Sequence, residues 1–165
     1  MEEKKTMLGI RVYNIAMTYG VQKVLVNSII NSYIEYCKVQ LKKGRRVTLL
    51  GLCTLIPDYE TDSYNSTLAY DCKIISNILG LPSNTVYIIV NEFLEDIKSE
   101  VLSGKTATIR GMVTFRPLVD EGKVCKVHSS ISLSFKGLLE GSNTNVKSVR
   151  VSTSKLLKHT IKEAV

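Results

Sequence analysis

Gly104-Lys105-Thr106, the histidines His128 and His159, and the cysteines Cys37, Cys53, Cys72 and Cys125 are the residues of this chain whose types could support phosphoryl, acid–base or thiol chemistry. A phosphate-binding loop needs a glycine five positions before its Gly-Lys-Thr and a helix after it. Here position 99 is Ser and the segment follows a helical pattern instead of leading into one. Neither histidine stands in a Ser, Cys or metal-ligand arrangement. The cysteines form no Cys-x-x-Cys pair and read as reduced packing residues, not as a zinc site or a disulfide framework. Asn65-Ser66-Thr67 matches a glycosylation acceptor, which matters only in a secreted chain. The expectation is a non-enzyme: no catalytic residue, no metal, no cofactor and no small-molecule substrate.

The cations are the remaining chemical resource. Twenty-two Lys and Arg against fifteen Asp and Glu give a net charge of +7, which suits polyanionic partners without choosing one. Lys42, Lys43, Arg45 and Arg46 form the densest cluster, at the end of a helical pattern. Cations there complement the helix dipole and keep the surface soluble, a reading favoured over phosphate contact because the second copy, with Leu102, Ser103, Lys105 and Thr106, keeps little of the charge. Lys123, Lys126, Lys136, Lys147 and Arg150 fall on segments of strand character and are the better phosphate candidates. Lys155, Lys158 and Lys162 line one side of a last helix as its solvated face, with Leu156, Leu157 and Ile161 turned inward.

The elements that must position these side chains are written twice. Val26–Pro57 superimposes on Val86–Pro117 without a gap, with ten identities in thirty-two positions. Gly44 falls on Gly104, Thr48 on Thr108, Gly51 on Gly111, Thr54 on Thr114 and Pro57 on Pro117. Tyr33 matches Phe93 and Leu55 matches Phe115, so the apolar spacing repeats along with the turns. Each copy reads helix, helix, strand. In the second, Asp71 to Leu79 is a short helix broken at Gly80-Leu81-Pro82. Thr85 to Ser103 is a long one with Val86, Ile89, Val90, Phe93, Leu94, Ile97 and Val101 on one face, and Thr106 to Phe115 alternates as a strand. In the first, the corresponding pieces are Leu8 to Thr18, Gln22 to Lys43 and Arg46 to Ile56. Gly44, Gly51, Thr54, Gly104, Gly111, Thr114, Phe93 and Phe115 are the residues expected to fix this fold.

Beyond Pro117 the copies are no longer comparable by eye. The first stops early, at a polar connection. The second continues through alternating residues Lys123 to Phe135, a turn Glu140 to Asn145, a strand Val146 to Val151 and a helix Lys155 to Ala164. The expected organisation is α+β: a first half unit at 1–57, a linker at 58–69 and a more complete unit at 70–165, closing into one intertwined pseudo-dimeric body.

A long helix ending in Gly, followed by a strand carrying Gly-x-x-Thr-Phe, resembles the HU and integration host factor (HU/IHF) family. The matching stretches are Gly51-Leu52-Cys53-Thr54-Leu55 and Gly111-Met112-Val113-Thr114-Phe115, and Val149 to Leu157 is similar to that family's closing strand and helix. The resemblance implies a helix, helix, three-strand, helix unit that works in pairs and grips DNA between two β-arms, each with a proline wedge at its tip. Here Cys53 and Val113 replace the second glycine of the motif. The prolines Pro57, Pro82 and Pro117 leave none in the arm region from Leu118 to Asn145. Domains of this family also occur in structural proteins of tailed-phage particles, including rings of the tail and neck.

Two functions follow as expectations. The first is a non-enzymatic assembly protein, a phage tail or neck component whose partners are other protein subunits, favoured by the missing wedge. The alternative is an architectural factor that holds the backbone of double-stranded DNA with little sequence readout, favoured by net charge. No apolar run reaches the roughly twenty residues of a membrane span, and Met1-Glu2-Glu3-Lys4-Lys5 has no secretion-signal character. Synthesis in the cytoplasm is expected, with incorporation into a virion or, on the alternative, association with the nucleoid.

Overall fold

Apolar residues at three- and four-residue spacing make four helices in the first hundred residues, two in each copy. In the computed structural model, which describes residues 7–61 and 67–163, these are α1 (Met7–Tyr19), α2 (Lys23–Lys42), α3 (Leu68–Leu79) and α4 (Ser83–Leu102). α2 buries Val26, Ile29, Ile30, Tyr33, Ile34, Cys37 and Leu41. α4 buries the positions sixty residues later: Val86, Ile89, Val90, Phe93, Leu94, Ile97 and Val101. These two stripes are the centre of one continuous core, and the α+β class expected from the sequence holds.

Each single strand expected after the long helices is a hairpin. β1 (Val47–Leu49) pairs with β2 (Cys53–Pro57), and β3 (Ala107–Ile109) with β4 (Val113–Asp120), both antiparallel and in the same register: Thr48 opposite Thr54, Thr108 opposite Thr114. The turns sit at Gly51 and Gly111, with φ +79° and +74°, where an L side chain would be strained. Leu52 N–H and Met112 N–H close them onto Leu49 O and Ile109 O. Alternation hides such a turn, because a hairpin of three- and five-residue strands reads as one run.

The second sheet continues into β5 (Lys123–Ile131), giving order β3-β4-β5. The expected strand to Phe135 stops at Ile131. Ser132 then caps a helix, α5 (Leu133–Gly141), by accepting from Phe135 N–H at 3.2 Å, and Phe135 and Leu139 are buried one turn apart. The turn expected from Glu140 thus begins as the helix ends.

The first sheet acquires its third strand from far along the chain. β6 (Val149–Thr153) pairs antiparallel with β2, Leu55 opposite Val151, giving order β1-β2-β6. Ser154 then caps α6 (Lys155–Glu163) through Leu157 N–H at 3.0 Å. The correspondence with α5 is close. Ser132 N–H donates to Met112 O and Ser154 N–H to Leu52 O, both at 2.9 Å, and Leu52 and Met112 are themselves sixty apart. Residues 149–163, expected in the second unit, therefore complete the first. The first unit is split, 7–61 with 149–163, and the continuous second unit, 68–141, lies between its second and third strands. Residues 62–66 of the expected linker lie outside the described residues.

The halves meet reciprocally. A Cβ on Gly51 would meet Lys98 of α4, and one on Gly111 would meet Lys38 of α2, contacts exchanged by the sixty-residue shift as in a two-fold interface. Leu157 and Ile161 face inward as expected, while the side chains of Leu156 and Lys162 lie outside the described residues.

Candidate functional site

Pleating sends alternate strand residues to opposite faces. On one face Val47, Leu49, Leu55, Ala107, Ile109, Val113 and Phe115 enter the core. The other carries Thr48, Thr54 and Ser152 in one sheet and Thr108, Thr114 and Ser130 in the second, in matching cross-strand rows. The next rows outward set Ile56 opposite Arg150, Arg116 opposite His128, and Leu118 opposite Lys126. Asp120, at the far end of β4, is the only acid in the six strands. Most carboxylates sit on the helices and loops instead, so the sheet face is electropositive.

At the seam between β5 and β6 a groove of about 750 Å³ opens, floored partly by α6. Lys126, Arg150 and Lys158 line it together with the hydroxyls of Ser152 and Thr153. All three cations are exposed, and no carboxylate pairs with them among the described residues. A smaller groove of about 320 Å³ holds Ser130, Lys136 and Leu139, the counterparts of Ser152, Lys158 and Ile161 in the other unit. The first groove thus has three cations where its counterpart has one.

The other expected cations are placed elsewhere. Lys147 turns its Nζ to Ser142 O at 2.8 Å, and its backbone N–H donates to Asp58 at 3.0 Å. Burial works to raise the Asp58 pKa, but backbone N–H donation from Ser148 and Lys147 outweighs it and holds the carboxylate below its ordinary range. Lys123 lies at the ribbon tip, across from Asp120 and beside Val119. Lys42, Lys43, Arg45 and Arg46 gather at the end of α2, where Arg45 donates to Gln40 at 3.0 Å and Arg46 pairs with Glu60 at 2.9 Å. That cluster is therefore partly neutralised. Arg116 belongs to the face and is absent from the sequence candidates, whereas His128 enters them only as an acid–base residue and Lys158, on α6, only as part of a solvated helix face. Arg116 stands two residues beyond Thr114, and period-two alternation is the signal that could have found it.

The ribbon beyond the second sheet, Arg116 to Lys126, is the only arm-like segment among the described residues. Its turn at Glu121 and Gly122, with φ +51° and +77°, has the form of a tight hairpin. The tip carries Asp120 and Glu121, and Val119 lies over Gly104 at the end of α4. In the first unit Asp58 to Thr61 takes the equivalent path over Gly44, with Thr61 N–H on Gly44 O.

Three of the four thiols are buried, and only Cys125 is exposed, in the lining of the larger groove. Burial pushes Cys53 and Cys72 up to about 12 and Cys37 higher still, leaving them protonated and weakly nucleophilic. Among the described residues no group of three His, Cys, Asp or Glu could hold a metal ion, and no helix is long and apolar enough to cross a membrane. Compared with known proteins, the chain matches no family model, no curated protein and no solved structure.

Proposed function

We propose that this chain is a non-enzymatic architectural protein made of two HU/IHF-like units in one polypeptide, and that its sheet face lies against the backbone of double-stranded DNA. The observation that carries the reading is the convergence of Lys126, Arg150 and Lys158 on one groove of a face with a single acid at its margin. Cations that no carboxylate pairs among the described residues gain most from phosphate, because binding releases the counterions of the duplex. The hydroxyls of Ser130, Ser152, Thr114 and Thr54 add neutral donors for phosphate oxygens and carry no base readout. An acidic ribbon tip without proline supplies no wedge, so the duplex is held without sharp kinking.

The test is charge reversal with an internal control. Lys126→Glu and Arg150→Glu are expected to weaken duplex binding about equally across sequences and to lower the salt slope by about one each. The double change Lys42→Glu, Lys43→Glu is expected to do much less. Equal losses from both sets would reject the sheet face as the site.

A second reading is assembly into a larger particle, such as a ring of a phage tail or neck. Ile10 and Met17 favour it: they lie two turns apart on α1 and are 37% and 66% exposed, flanking Tyr13, whose ring takes Lys23 Nζ at 4.6 Å. On that reading Met17→Asp abolishes oligomers while Lys126→Glu leaves them intact. The reverse pattern would exclude it.

A further inference from the structure

Arg11 of α1 and Asp71 of α3 occupy equivalent places, sixty residues apart, and each is only 2% exposed. Their partners across the interface between the halves are equivalent as well. Arg11 donates through Nη1 to Asp96 Oδ2 at 2.8 Å and through Nη2 to Glu100 Oε2. On the other side Asp71 accepts from Tyr36 Oη at 3.0 Å. Tyr36 is the counterpart of Asp96, and Gln40 the counterpart of Glu100. One symmetry-related site therefore holds a buried cation against two acids. The other holds a buried acid against a phenol, with an amide where the second acid would be.

We infer that these two polar sites make the interface between the halves accept only the complementary half, so that first units do not pair with first units, nor second with second, in another copy of the chain. The apolar surface cannot make that choice. Val26 and Val86, Ile29 and Ile89, Tyr33 and Phe93, and Leu41 and Val101 are nearly interchangeable across it. Pairing two first units would bury Arg11 twice against Tyr36 and Gln40, with no carboxylate to receive it. Pairing two second units would bury Asp71 twice against Asp96 and Glu100. A buried charge left without its partner, or set against its like, is strongly disfavoured, whereas correct pairing satisfies both sites. The duplicated unit has thereby become two non-equivalent halves, and selection rests on Arg11, Asp71, Tyr36, Asp96 and Glu100. The inference does not depend on what the sheet face binds.

The test uses the full chain. Arg11→Asp alone recreates the second-with-second arrangement inside the molecule and is expected to lower the folding equilibrium constant about a hundredfold or more. Adding Asp96→Tyr and Glu100→Gln gives the first side the arrangement of the second, and is expected to recover at least about tenfold of that loss. Both are read by urea denaturation. Because the triple variant has two like sites, it is also expected to form concentration-dependent dimers in sedimentation velocity beyond any association of the wild type. An unaffected single variant, a triple variant no more stable than the single, or a recovered triple variant that associates no more than the wild type would each overturn the inference.

Discussion

Gly44 and Gly104 close α2 and α4 at equivalent positions, yet alanine is expected to cost much more at the first. Both have positive φ, +84° and +90°, so alanine at either site pays left-handed strain of about 1 to 2 kcal/mol. At Gly104 the new Cβ meets only Val119 Cγ2, at 3.2 Å, and a side-chain methyl can move. At Gly44 it would lie 2.8 Å from Tyr59 O, 2.9 Å from Thr61 Cγ2 and 3.0 Å from Thr61 N. Two of those are backbone atoms, and the Thr61 N–H bond to Gly44 O holds that segment in place at 3.0 Å. Relief requires shifting it, which weakens a hydrogen bond of about 1 kcal/mol and disturbs the packing around it. The expected totals are about 3 to 4 kcal/mol for Gly44→Ala and about 1 to 2 for Gly104→Ala. At about 2 to 4 °C per kcal/mol for a chain of this size, Tm should fall several degrees further in the first variant. Urea denaturation followed by circular dichroism and thermal scans of both variants measure this directly. Equal losses at the two glycines would refute the placement of Asp58 to Thr61 over the end of α2.

Phe93→Ala, at a side chain 1% exposed in the centre of α4, is expected to destabilise by about 3 to 5 kcal/mol in denaturant titration; a loss below about 1 kcal/mol would mean the α2–α4 stripe is not the core. Stability should also decline at alkaline pH. Cys53 ionises near 9.0 when unfolded but only at about 12 when buried, so above pH 9 the unfolded chain releases a proton that the folded chain keeps. The contribution is complete below pH 9 and is lost as pH rises towards 12. Cys53→Val, which places the residue found at Val113 in the equivalent site, should flatten that decline in denaturation curves between pH 8 and 10.5; an unchanged slope would remove Cys53 from the explanation.

The helices were legible because their apolar faces repeat every three or four residues, and the copies confirmed each other's spacing. The hairpins were not, since Thr106 to Phe115 alternates straight through the turn at Gly111. α5 was hidden for a related reason: Ile131-Ser132-Leu133-Ser134-Phe135 alternates like a strand, and the cap at Ser132 shows only in its bond to Phe135 N–H. The membership of β6 lay beyond local pattern altogether, because its partner β2 is separated from it by the whole second unit. At the candidate site, Lys126 and Arg150 were recognisable as strand cations. Lys158 reads from the sequence as part of a solvated helix face, because its approach to them depends on how α6 sits beside the β5–β6 seam.

The claim that the sheet face holds a duplex is tested most directly by fluorescence anisotropy of a labelled thirty-base-pair DNA titrated with the wild-type protein at several salt concentrations. Lys126, Arg150 and Lys158, each displacing about 0.9 of a counterion, set the expected log-log slope at about −3 or steeper, with affinity independent of sequence. No binding near physiological salt, or binding without salt dependence, would contradict it.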